Sequence, residues 1–253
     1  MNLKKYLIMT KLLKFSPGKG NAKLASLGGI VYTFSLPSGH TCPFAQDCLS
    51  KAVEKDGKIT IQDGPKTKFR CFSATQEVVY KAVREQRQYN FSLLKEAKTT
   101  EKMAELINAS LPDATVIRIH VGGDFFNEAY FKAWKQVASI NPKIIFYAYT
   151  KSLGYWVNNL TGMPNNFKLN ASKGGRNDDL IAKHKLKYAE VVYSEQEAKD
   201  KNLDIDHDDS HAFLKDKSFA LLIHGVQPAG SVAAQALKAL KGVGSYSSKK
   251  KSK

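Results

Sequence analysis

Three cysteines, Cys42, Cys48 and Cys71, are the only ones in the chain, and their spacing, Cys-x5-Cys-x22-Cys, gathers three soft thiolate ligands into one segment. Three thiolates without a fourth suit an iron–sulfur cluster, [4Fe–4S], that leaves one iron open; zinc completed by a histidine is the alternative. His40, two residues before Cys42, is the nearest candidate for that fourth ligand. The tight Cys-x2–4-Cys knuckle of structural zinc is missing, which favours the cluster. Three buried structural thiols are the plainer alternative. Against it, Cys42 and Cys48 flank a turn containing Pro43 and carry polar neighbours, unlike core positions.

Such a loop has to be held by regular elements. Short runs rich in β-branched and aromatic residues predict strands over Gly29–Leu36, Thr115–Val121, Lys143–Thr150, Asn166–Ser172, Ala189–Ser194 and Ser218–His224. Helical patterns fall between them: a long one from Ser73 to Leu111 with a break near Lys98–Thr99, then Glu128–Ile140 and four shorter ones. Asn127, Asn177 and Ser194 stand where N-caps belong, and Pro112, Pro142 and Pro164 punctuate the returns to strands. Alternating strands and helices predict an α/β fold with a parallel sheet and crossover helices. The expectation is a partial (β/α)6 barrel with the cysteine loop after its first strand; the alternative is an open doubly wound sheet. The domain reading is a basic N-terminal extension (1–25), a single α/β domain (26–246) and a basic, disordered tail (247–253).

Ligands gather at the carboxyl ends of strands in parallel α/β folds. There the chain places His120-Val121-Gly122-Gly123-Asp124, Thr150-Lys151-Ser152, Ser172-Lys173-Gly174-Gly175 and His224-Gly225. Gly122 and Gly123 let a backbone approach a ligand, and Asp124 beside them can accept hydrogen bonds from an amine or ribose hydroxyls. Lys151 and Ser172 are placed to meet a carboxylate or phosphate. His120 and His224 end strands, where a histidine is more often packed than catalytic. Together Gly122, Gly123, Asp124, Lys151, Ser172 and His224 read as one composite cofactor pocket beside the cysteines.

The competing cluster is Asp206, His207, Asp208, Asp209 and His211. It lacks the glycine and glutamate of an EF-hand loop and the His-Glu-x-x-His of a zinc helix, so it is not expected to be the principal metal site. The acidic stretch Asp204–His211 that holds it reads as a loop at the far face or as a segment with a short extra strand.

Apolar residues at 43% with 13 Phe and 11 Tyr exclude a disordered chain. No run approaches the ~20 apolar residues of a membrane span, so no membrane partner is expected. An odd cysteine count without a secretory signal points to a reducing cytoplasm. Of the net +16, Lys4, Lys5, Lys11, Lys14, Lys19 and Lys23 supply six charges, and Lys249, Lys250, Lys251 and Lys253 four, leaving about +6 for the body. Basic tails of this kind can hold nucleic acid through its phosphates.

Several of these segments resemble the phage gene product 88 family. They are Ser35-Leu36-Pro37-Ser38-Gly39-His40-Thr41-Cys42-Pro43, Arg70-Cys71-Phe72-Ser73-Ala74, Arg118–Phe126, Phe146–Ser152, Ala171–Gly175, Ile205–Ser210 and His224–Gly230. The resemblance spans about Gly29 to Tyr246 and implies a viral origin, hence the cytoplasm of an infected host, but no activity. The architecture is also similar to radical S-adenosylmethionine proteins: a three-cysteine loop after the first strand, a Gly-Gly-acid turn after the second, about six βα units. That likeness implies a [4Fe–4S] cluster on Cys42, Cys48 and Cys71, S-adenosylmethionine against Gly122, Gly123 and Asp124, and an electron donor as partner. It departs from the usual Cys-x3-Cys-x2-Cys spacing, because Cys71 lies far downstream.

Overall fold

The computed structural model of the protein describes residues 11–20, 24 and 27–241. The C-terminal lysines and Lys4, Lys5 and Lys23 lie outside the described residues. Among the described residues, ten strands form two sheets. The large one contains β1 (Ser16–Pro17), β2 (Val31–Phe34), β5 (Val116–Ile119), β6 (Ile145–Thr150), β7 (Phe167–Ser172), β8 (Tyr188–Val192), β9 (Asp204–Ile205) and β10 (Phe219–Leu222). Its order is β1-β2-β5-β6-β7-β8-β10-β9. Only β1 runs antiparallel to its neighbour; every other pairing is parallel.

All six strands expected from the sequence are in that sheet, and through them each new strand is laid beside the previous one. A doubly wound sheet reverses its strand order at a switch point. No reversal occurs from β2 to β10, so that alternative is set aside. Winding in one direction puts the crossover helices on one face. Helices Lys81–Ala97, Thr100–Ala109 and Glu128–Ile140 bury Leu93, Leu94, Met103, Ile107, Phe131 and Trp134 against Phe34, Ile117, Ile119, Phe146 and Leu169 of the strands. Side chains of opposite parity, among them Arg118, Tyr149 and Val191, line a cavity on the other face.

Capping follows the expectation at Asn127 and Ser194 but not at Asn177, since helix Asp179–Lys183 starts from Asp178 without a side-chain cap. Asn127 Oδ1 accepts from the Tyr130 amide at 2.8 Å, and Ser194 Oγ from the Glu197 amide at 3.0 Å. The long helical pattern is broken at Lys98, where φ is +60°, as expected, and again at Tyr80, whose extended backbone separates helix Phe72–Val79 from Lys81–Ala97. The basic extension is not separate from the body over its described part: Leu13 is buried and Phe15 packs 5.0 Å from Phe34, which carries β1 into the sheet.

The second sheet is a hairpin of β3 (Ser50–Lys55) and β4 (Lys58–Asp63), in full antiparallel register from Ser50↔Asp63 to Lys55↔Lys58. It occupies what had read as loop. Asp56 and Gly57, at φ +52° and +72°, make the two-residue turn that this register needs.

Candidate functional site

The cavity at the carboxyl ends of the strands encloses about 910 Å³ of empty space including its mouth. Cys42, Cys48, Cys71, Gly122, Gly123, Asp124, Lys151, Ser172 and His224 all line it. Every site residue expected from the sequence therefore comes to one place, though several play other parts than expected.

The hairpin explains how Cys71 reaches the other two cysteines. Its strands leave from Ser50 and return at Asp63, and the chain is then tied back to the stretch it left: Gly64 N–H donates to Leu49 O at 2.7 Å, and the Lys68 and Phe69 amides to Asp47 O at 2.8 and 3.1 Å. Arg70 grips Asp63 through Nε and Nη2, and Cys71 N–H donates to Ser50 Oγ at 3.2 Å. The 22 intervening residues thus form a closed excursion, and Cys71 lands beside Cys48.

The three thiols are free and half-buried. Burial pushes the Cys42 thiol well above its ordinary value, and the charges of Asp124, Cys71 and Cys48 push the same way; the Gly39 amide, 3.3 Å from Cys42 Sγ, opposes them. Cys71 is raised to about 11, chiefly by burial and then by Cys48. The amides of Ser73 and Ala74, at the start of helix Phe72–Val79, and the Arg87 guanidinium pull it down. A cation bound among the three thiols would take them as thiolates and displace their protons. Among the described residues, no three His, Cys, Asp or Glu side chains have the spacing of ligands around a single metal ion.

Gly122 and Gly123 are glycines because the cysteine loop leaves no room for a side chain. A Cβ on Gly123, at φ +88°, would stand 2.6 Å from Thr41 Oγ1 and 2.8 Å from Leu36 Cβ; one on Gly122 would stand 2.7 Å from Arg87 Nη1. Asp124 is buried, and its carboxylate is already engaged. Oδ1 accepts from the Phe125 amide (2.7 Å) and Thr150 Oγ1 (2.6 Å), and Oδ2 from the Lys151 amide (2.8 Å). Burial nevertheless raises its pKa to about 6. Lys151 is also a brace: its ammonium donates to the Ser172 carbonyl, the Ser172 hydroxyl and the Lys173 carbonyl, each at 2.8 Å. Those three bonds take all its protons, so Lys151 ties β6 to β7 and is not available to an anion.

His224 packs its ring 4.8 Å from Phe72, next to Cys71. His120, at φ +66°, bonds Tyr130 Oη at 3.0 Å among aromatic rings, and burial lowers its pKa to about 3; it is a neutral core histidine. His40 bonds the Ala52 carbonyl of β3 at 3.0 Å and does not line the cavity.

Two side chains were missed from sequence. Arg118 on β5 and Tyr149 on β6 line the floor, with the guanidinium 5.2 Å from the Tyr149 ring centroid. Asp209 pairs with Arg118 and accepts from Tyr147 Oη at 2.8 Å. An arginine inside the apolar run Val116-Ile117-Arg118-Ile119 was the available signal. The Asp206–His211 segment follows β9 and begins a short helix, Ser210–Leu214, whose Ala212 and Phe213 pack on Val116, Tyr147 and Phe219. Of the two readings of Asp204–His211, the one with a short extra strand holds, as β9 (Asp204–Ile205); the rest plugs the inner face of the sheet beneath the cavity and is not a far-face loop.

No helix of the described residues is long and apolar enough to cross a membrane. No solved structure matches the chain. The Gene 88 protein of Mycobacterium phage L5 is 30% identical over 143 residues, covering 52% of this chain and 51% of that protein. The Gene 88 protein of Mycobacterium phage D29 is 29% identical over 143 residues, covering 52% and 50%. The chain spans about half the length of these curated relatives. The profile of the family described as Gene product 88 matches residues 10–242, nearly the whole chain, and on that span the protein belongs to the Gene product 88 family.

Proposed function

We propose that this is an iron–sulfur protein of radical S-adenosylmethionine type, holding a [4Fe–4S] cluster on Cys42, Cys48 and Cys71 in a partial (β/α)6 barrel. The observation that carries the reading is the meeting of three free cysteines with the Gly122-Gly123-Asp124 turn in one cavity, at the carboxyl ends of strands wound in one direction. The donor set suits this reading: three thiols with no disulfide among them line one cavity. Ligands to separate irons of a cluster stand further apart than those of one ion, so the thiols need not have mononuclear spacing. His40, the histidine that the sequence offers to zinc, turns instead to the hairpin.

Such a cluster supplies single electrons and an open coordination position for S-adenosylmethionine. The protein's own contribution is positional. Gly122 and Gly123 let the turn after β5 press against the cysteine loop. Asp124, through Thr150 and the Lys151 amide, fixes that turn to β6, and Lys151 fixes β6 to β7. Phe72 and His224 close the side next to Cys71. An electron donor is the partner this chemistry requires, and the cytoplasm of an infected host is the setting that keeps the thiols reduced. The nucleic-acid reading rests mainly on lysines outside the described residues.

Anaerobically purified protein tests the proposal. Visible charge-transfer absorption should disappear in Cys42→Ala, Cys48→Ala and Cys71→Ala. S-adenosylmethionine should be retained in equilibrium dialysis only by the coloured form. Colourless, folded protein that holds stoichiometric zinc would overturn it.

A further inference from the structure

Beside the cysteine-lined cavity lies a second chamber, about 710 Å³ of empty space including its mouth, and Phe69 and Val191 line both. The two differ sharply in chemistry. On the inner floor, polar side chains lie toward β5–β7, whereas β8 and β10 contribute Val191, Leu221 and Ile223, with His224 just beyond them and Phe69 and Phe72 coming from the cysteine loop. The charged groups of the inner cavity are matched within the protein. Arg118 is paired with Asp209, Arg70 with Asp63, and the Lys151 ammonium is saturated by oxygens of β7. A phosphate or carboxylate brought inside would have to break one of these arrangements.

The outer chamber is lined by three lysines and four carboxylates. They alternate: Lys173 and Lys201 both reach Glu190, at 2.8 and 2.5 Å, and Lys68 reaches Asp47 at 2.9 Å. These lysines are substantially exposed, and ion pairs of that kind exchange partners at little cost. A surface with both signs in near balance suits a ligand that carries both signs, and it disfavours a polyanion.

We propose that the substrate is an amphipathic molecule with a zwitterionic head. Its ammonium and carboxylate lie among Lys173, Glu190 and Lys201, and its apolar segment passes Phe69 to rest on Val191, Leu221 and Ile223. This names a substrate class for the proposed iron–sulfur site and rests on that reading only for what is done to the substrate, since the two chambers exist without the cluster.

The test uses four probes on the purified full chain, with and without reconstituted cluster: 2-aminooctanoic acid, octanoate, octylamine and glycine, each followed by saturation-transfer NMR and titration. The expected result is that 2-aminooctanoic acid binds at least about tenfold more tightly than any of the other three. Leu221→Asp should weaken it about tenfold by spoiling the apolar floor, and Glu190→Gln should erase its advantage over octanoate, with both variants checked for native melting. If Leu221→Asp fails to fold, Leu221→Thr replaces it. Octanoate or glycine binding as well as 2-aminooctanoic acid, or no probe binding to folded protein, overturns the assignment. Probe binding by protein that forms no cluster would remove the iron–sulfur reading and leave this one standing; a cluster without probe binding would do the reverse.

Discussion

Gly123 lies directly beneath Thr41, so close that a Cβ on the glycine would come 2.6 Å from the threonine hydroxyl. Thr41 adjoins Cys42, and its hydroxyl also donates to the Pro37 carbonyl at 2.8 Å. The turn after β5 is therefore the bed on which the first cysteine rests. Gly123→Ala should cost about 1–3 kcal/mol, because it combines a positive φ with a steric overlap. Urea denaturation measures that loss. Faster alkylation of Cys42 in the variant, under native conditions, would place the damage in the cysteine loop.

Glu77 and Arg87 form a buried pair that secures the same loop from the other side. Glu77 Oε1 accepts from Arg87 Nη1 at 2.6 Å and from the Ser38 amide at 2.8 Å, and Arg87 also donates to the Ser73 carbonyl and Gln76 Oε1. Removing one partner strands a buried charge. Arg87→Met should cost about 3–5 kcal/mol, whereas adding Glu77→Gln to it should recover part of the loss. A double-mutant cycle by chemical denaturation checks this, and strict additivity would contradict the coupling.

The cysteine environment predicts slow thiol chemistry in the metal-free protein. With Cys71 raised to about 11, little thiolate exists near neutrality. Its alkylation by iodoacetamide should climb about tenfold for each pH unit from about pH 7 to about pH 10 without a plateau. Peptide mass spectrometry reads the rate. A plateau below about pH 9 would mean that the pocket stabilises the thiolate instead.

Asp124 gives stability a pH dependence of unusual sign for a carboxylate. Its folded pKa, about 6, lies above the ordinary 3.8. The protonated form is thus the one the buried site favours. The stability this contributes is fully present below about pH 4 and is lost as the pH rises through about 6, with an upper bound of about 3 kcal/mol. Between pH 4.5 and 7.5 the wild type should lose stability relative to Asp124→Asn, as read by urea midpoints. Parallel curves for the two proteins would show that Asp124 does not titrate in this range.

How far the sequence was legible follows from how each element is stabilised. The six parallel strands were readable because runs such as Ile145–Thr150 are buried and rich in β-branched and aromatic residues. β1 and β9 have two residues each and carry no periodicity to read. The β3–β4 hairpin was missed although Asp56-Gly57, between Ala52-x-Glu54 and Ile59-x-Ile61, is a strong turn signal; its strands are half-exposed and too polar to stand out. The cysteines and strand-end residues were found because parallel sheets gather ligands there. Their detailed roles were not, since hydrogen bonds such as those of Lys151 depend on which strands become neighbours. Arg118 was hidden because its partner Asp209 is distant in sequence and sits on a segment that the fold tucks under the sheet.

The central claim is that Cys42, Cys48 and Cys71 hold an iron–sulfur cluster. Iron and acid-labile sulfide measured on anaerobically purified protein test it most directly. The account predicts about four of each per chain, falling to near zero in each single Cys→Ala variant while His207→Ala/His211→Ala remains fully loaded. Folded wild-type protein without sulfide, or metal lost in the histidine double variant with all three cysteines intact, would contradict it.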